Sequence, residues 1–140
     1  MAVVVRIATV EDIPNMHRVR LSVTENRLTS CAITEASYVP EIQTHGRGWV
    51  AVEDGRVLGF AVGNRENGNI WALFVTPAAE GRGVGRRLHD EMVAWLFDQG
   101  CERLWLSTAP GTRAQRFYES ASWQFTHLLP GGEAMYELRP

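Results

Sequence analysis

Apolar and polar positions change period several times along the chain, and each change marks an element. Residues 3–8 alternate weakly and predict a first strand. Thr9, with Asp12 three positions on, has the spacing of a capping box and opens a helix over about 11–21. Its stripe, Ile13, Met16, His17 and Arg20, is mixed. After a polar stretch at 22–33, Thr34 opens a second helix to about Gln43. Runs at 49–53 and 56–63 flank Asp54-Gly55, the stronger hairpin signal, and Asn67-Gly68 leads into Ile70–Val75, so three antiparallel strands joined by two hairpins are expected.

The run Ile-Trp-Ala-Leu-Phe-Val has no polar alternation. It reads as a strand buried on both faces and central to its sheet, ended by Pro77, with Trp71 and Phe74 on alternate faces. From Val84 the apolar positions Leu88, Met92, Trp95 and Leu96 keep helical spacing up to Gly100, and 103–108 reads as another strand. Strand, helix and strand in this order make a crossover, which predicts that the two strands run parallel. Ala114, Phe117, Tyr118 and Ala121 then mark a helix, and 123–129 and 134–139 form a last hairpin through Gly131-Gly132.

With 140 residues the chain is read as one domain, 1–140, large enough for a real core. A formal net charge of −2 argues against a general nucleic-acid binder, so any anion site must be local. Cys31 and Cys101 are too few for a disulfide framework, the first ten residues lack a signal-type apolar core, and the four histidines have no ligand spacing. The expectation is a reduced, soluble, cytoplasmic protein without metal and without membrane association. All 14 basic residues counted as Lys+Arg are arginine. An arginine-rich genome explains this more simply than protection from self-acylation does.

The chemistry concentrates at Glu80-Gly81-Arg82-Gly83-Val84-Gly85-Arg86-Arg87, between the apolar strand and the helix after it. The first N–H groups of a helix have no intrahelical partner, and glycines let an anion approach them. Arg82, Arg86 and Arg87 oppose the helix dipole unless a polyanion reverses the local sign; pairing of Arg86 and Arg87 with Asp90 and Glu91 is the competing explanation. The segment lacks the Gly-Lys-Ser/Thr of a P-loop, and the acidic residue of a dinucleotide fingerprint is missing from its proper place.

This order of elements, with Leu73-Phe74-Val75-Thr76-Pro77, the glycine turn, and Arg113-Ala114-Gln115-Arg116-Phe117-Tyr118-Glu119 followed by Trp123, resembles the GCN5-related N-acetyltransferase (GNAT) superfamily over nearly the whole length. The resemblance implies an α/β (α+β) fold, a mixed, mostly antiparallel sheet of about seven strands with helices on both faces. It implies an acetyl-CoA-dependent N-acetyltransferase acting by direct attack of a primary amine, with a small-molecule or peptide acceptor, and it leaves a homodimer open. A non-catalytic acyl-CoA sensor or regulatory domain is the alternative.

Carried over by position, the backbone N–H groups of Gly81, Arg82, Gly83, Val84, Gly85 and Arg86, with Arg87, would hold the pyrophosphate. Phe74 and Val75 would pair with the pantetheine arm, and the Val75 N–H would hold the oxyanion. Tyr118 would protonate the departing thiolate; read without the resemblance, it is a core residue beside Phe117. Trp71 is either core or a wall of the acceptor pocket. Glu25, Asn26 and Arg27 fall where the family places acceptor-binding residues, and a solvated loop is the other reading. The family's base positions on the central strand match Asn69 and Trp71, which accept no proton, so Glu25 acting through water is the candidate base. Glu80, Gly111 and Ser122 depart from the family pattern, and the first two put side-chain contacts to CoA in question, while the backbone cradle needs only the glycines.

Overall fold

A computed structural model describes residues 2–23 and 33–140. The first strand, β1 (Val4–Ile7), leads through a short 3-10 turn into α1 (Ile13–Ser22). At this junction the Thr9 N–H donates to Asp12 Oδ2 at 2.8 Å, and the Arg6 guanidinium grips both Asp12 oxygens at 2.8 and 2.9 Å. The helix α2 (Glu35–Pro40) continues as a wider π-helical turn over Glu41–His45. Three antiparallel strands follow, β2 (Gly46–Glu53), β3 (Arg56–Asn64) and β4 (Ile70–Val75). Asp54 and Gly55 take the positive φ values, 51° and 77°, that the first hairpin requires.

Next come α3 (Val84–Asp98), β5 (Leu104–Thr108), α4 (Arg113–Ser120), β6 (Gln124–Leu128) and β7 (Ala134–Leu138). The seven strands make two sheets, β1-β2-β3-β4 and β5-β7-β6, antiparallel throughout. One core cluster lies under α3 and α4 and includes Trp49, Leu88, Met92, Leu96 and Trp123; the other lies under α1 and α2 and includes Met16, Tyr38, Phe60 and Val62. Helices therefore cover both faces. Among the described residues no helix is long and apolar enough to cross a membrane.

Two expectations about β4 need correction. It is not central to its sheet but its edge, and Trp71, Leu73, Phe74 and Val75 are only half-buried. The strand buried along its length is β3, from Val57 to Asn64. An apolar run reports that water is excluded, not what excludes it, and most of β4 borders a cleft. Nor do Trp71 and Phe74 alternate faces. Val62 pairs with Ala72 and Gly63 with Ile70, so Trp71 is an unpaired bulge residue, and both rings join the same core cluster.

The predicted parallel relation of β4 and β5 holds at one place, the bridge from Asn69 to Trp105. There the Trp105 N–H donates to Gly68 O at 3.0 Å, the Trp105 indole donates to Asn67 O at 3.0 Å and the Asn69 amide donates to Trp105 O at 3.3 Å. A Cβ on Gly68 would stand 2.2 Å from Arg103 O, so only glycine lets the strands clasp so closely. Beyond the clasp they part.

Candidate active site

The parting of β4 and β5 opens a cleft of about 740 Å³, walled by both strands and by the starts of α3 and α4. In the ladder between β3 and β4, Phe60 faces Phe74 and the Thr76 N–H donates to Leu58 O at 2.8 Å. Bonded pairs alternate in an antiparallel ladder, so the N–H and C=O groups of Leu73 and Val75 point away from β3, into the cleft. This fits the position foreseen for the Val75 N–H. Phe74 differs from expectation: its backbone groups face β3, so Leu73 and Val75 offer the open edge.

At the mouth of the cleft stands the glycine turn. Gly81 and Gly83 have φ of 80° and 78°, and none of the described residues lies within 4 Å of where a Cβ would stand on either. Gly83 is the N-cap of α3 and gives it no side-chain cap, so the first N–H groups of the helix stay open to an anion. Gly85 is not left-handed; a Cβ there would meet Val75 Cγ2 at 3.4 Å and Phe117 at 3.8 Å. Val84 is buried as the first apolar anchor of the helix. The residues present thus fit a pyrophosphate held by backbone.

The arginine side chains mostly do not serve that site. Arg82 is bound to Glu53 at 2.6 and 3.2 Å, Arg86 to Asp90 at 3.0 Å, and Arg87 donates to Val3 O at 2.8 Å. Of the three only Arg86 lines the cleft, joined by Arg113 and Arg116 from α4. The helical pairing of Arg86 with Asp90 is realised, and the polyanion argument is not needed for Arg82 or Arg87. Only the Arg82 backbone N–H remains part of the turn. Partner choice here depends on β2 and on the chain start, which local spacing does not reveal.

Tyr118 lines the cleft from α4, with its ring against Phe117 and Trp123 at centroid distances of 5.3 and 5.5 Å. It is both core and cleft wall. Its hydroxyl makes no hydrogen bond to the described residues, and burial pushes its pKa well above the ordinary phenol value, so the phenol stays protonated. α4 itself is set by Thr112, whose Oγ1 accepts from the Gln115 N–H at 3.2 Å. Gln115 in turn accepts from the Gly111 N–H at 2.7 Å and donates to the Tyr136 hydroxyl at 2.9 Å. This fixes the loop at Gly111.

On the other side of β4, Trp71 lies edge-on to Tyr38 at 5.0 Å, and Arg20 from α1 stacks over Trp71 and Phe74 at 5.1 and 4.9 Å. Both readings of Trp71 thus have a basis, since it packs on the core and also lines the cleft. Glu25, Asn26 and Arg27 lie outside the described residues.

Sequence reasoning missed Arg20, Ser107 and Glu133. The last two line the cleft, and the Ser107 hydroxyl donates to Glu133 Oε1 at 3.1 Å. No local pattern foretells this pair. Glu133 reaches β5 because β7 inserts between β5 and β6, placing Ala134 opposite Thr108.

The splay of β4 from β5 beyond one parallel contact, with a glycine-lined helix start at the mouth of the split, leaves an open cleft whose backbone groups fit an extended, phosphate-bearing ligand. The model of the acetyltransferase (GNAT) family matches residues 11–123, and the chain belongs to that family of enzymes. Its fold is similar to that of Ard1 from Thermoplasma volcanium, at 23% identity and a TM-score of 0.82, over 99% of this chain and 98% of that one. It is also similar to the ribosomal-protein-S18-alanine N-acetyltransferase of Escherichia coli, at 16% identity and 0.80, over 99% and 94%. The PaiA N-acetyltransferase of Thermoplasma acidophilum, solved in complex with coenzyme A, matches at 15% identity and 0.78 over the full length of both chains.

Proposed function

We propose that the protein transfers the acetyl group of acetyl-CoA to a primary amine by direct attack in the cleft between β4 and β5. The observation that carries this is the coincidence of three features in one cleft: an uncapped helix start behind two left-handed glycines, a strand edge at Leu73 and Val75 that faces away from β3, and a Tyr118 hydroxyl that makes no hydrogen bond among the described residues.

In this reading the N–H groups from Gly81 to Arg86 donate charge-assisted hydrogen bonds to the pyrophosphate oxygens, without needing a side chain at Glu80. The edge of Leu73 and Val75 takes the pantetheine amides like an added strand. The Val75 N–H stabilises the oxygen on which charge develops, and Tyr118 gives its proton to the departing thiolate as the carbon–sulfur bond breaks. Burial keeps the phenol in the protonated form that this role requires at neutral pH.

Purified protein titrated with acetyl-CoA in a calorimeter, then assayed for free CoA thiol over a panel of amines, tests the proposal. Binding with turnover of at least one amine is expected. Binding without turnover of any would favour an acyl-CoA sensor, and absence of binding would end both readings.

A further inference from the structure

An amine acceptor reaches a protein mostly as its ammonium and must lose a proton before it attacks. Resting on the acetyl transfer proposed above, the question is which side chain takes it. Asn69 is tied to Trp105 O, and Trp71 has no acceptor atom. His17 is bonded to Tyr38, His45 to Glu66 and His127 to Thr126, while His89 is buried between Asp90 and Trp123; none of them lines the cleft. Among the described residues two carboxylates do, Glu80 and Glu133. Glu80 stands by the glycine turn, 3.7 Å from the Arg113 guanidinium, where its charge is spoken for. Glu133 is in no ion pair with the described residues and receives one side-chain hydrogen bond, from Ser107 to Oε1.

We infer that Glu133 is the general base of the reaction and that Ser107 positions it. A carboxylate has about four acceptor directions, and here one is used to orient the group while Oε2 is left for the acceptor. The turn that carries Glu133 is pinned, with Leu129 N–H donating to Glu133 O and Gly132 N–H donating to Leu129 O, each at 2.8 Å. One ammonium proton passes to Glu133. The freed nitrogen lone pair forms the bond to the acetyl carbon, the carbon–sulfur bond breaks, and the thiolate takes the Tyr118 proton. The Tyr118 oxygen is reprotonated by a second proton from the nitrogen, and Glu133 returns its proton to solvent.

The test follows thiol release with acetyl-CoA and three probe amines: spermidine, an alanine-terminated hexapeptide and a hexapeptide with an internal lysine. For an amine the wild type turns over, Glu133→Gln should lower kcat/KM about 10²-fold near neutral pH, with the ratio to wild type closing as alkaline buffer deprotonates the amine. Affinity for acetyl-CoA should stay within about twofold, since the carboxylate serves the acceptor side. Glu133→Ala should regain rate in added formate, and Ser107→Ala should show a smaller loss with the same pH form. A ratio that stays flat across pH, or no formate rescue, overturns the assignment while leaving acetyl transfer intact. A wild type that binds acetyl-CoA and acetylates none of the three amines would instead overturn the transfer reading, and the base with it.

Discussion

Trp123 donates its indole N–H to His89 Nε2 across a distance of 3.0 Å in the core between α3 and the start of β6. Because Nε2 accepts, the ring proton must sit on Nδ1, which faces Asp90 Oδ1 at 2.9 Å. The bond ties the helix that carries the glycine turn to the segment behind Tyr118, whose ring also packs on Trp123. It exists only while His89 is neutral.

Burial lowers the His89 pKa, outweighing the opposing pull of Asp90. A histidine whose folded pKa lies below its unfolded value adds stability that is complete above the unfolded value, about 6.5, and is lost as pH falls through the folded value. The wild-type melting temperature should therefore drop as the pH falls below about 6.5, with Trp fluorescence reporting the loss. His89→Leu should melt lower at neutral pH and show a flatter profile. An equally steep profile in the variant would exclude His89 as the source.

Gly83→Ala should weaken acetyl-CoA binding more than Gly85→Ala does. A side chain at φ 78° costs about 1–3 kcal/mol where Gly83 caps α3, and it also narrows the approach to the open N–H groups. Gly85 has helical backbone and ordinary contact distance for a methyl group. Calorimetry with both variants, together with their melting curves, separates lost affinity from lost fold. Equal affinities would move the anion away from the N-cap.

Tyr118→Phe should reduce kcat about 10²-fold with acetyl-CoA affinity near wild type, as expected for a group needed in the transition state. Since the hydroxyl has no bond to the described residues, the variant should also keep its melting temperature. Full activity would return Tyr118 to a purely structural role.

Arg82→Gln should leave acetyl-CoA affinity within about twofold of wild type, because an exposed ion pair to Glu53 contributes little and the turn acts through its backbone. A large loss of affinity would mean that Arg82 abandons Glu53 for the ligand.

Local physics fixed much of this fold in advance. Turn chemistry at Asp54-Gly55 and Asn67-Gly68, the capping box at Thr9 and Asp12, and the apolar stripe from Val84 to Leu96 each depend on neighbours a few residues away, and each formed where the chain foretold. The glycine turn was legible for the same reason, since a left-handed N-cap is a property of its own residues. What stayed hidden depends on pairing between distant segments. The parting of β4 from β5 beyond the Asn69–Trp105 clasp leaves β4 an edge rather than a centre, a single bulge turns Trp71 to the face of Phe74, and Glu53 and Val3 claim arginines that the sequence assigned to a ligand. The meeting of Ser107 with Glu133, 26 positions apart and brought together by β7 lying between β5 and β6, belongs to the same class. A sequence determines each element's own conformation and apolar face, but which charges and edges meet is decided only when strands far apart in the chain choose their neighbours.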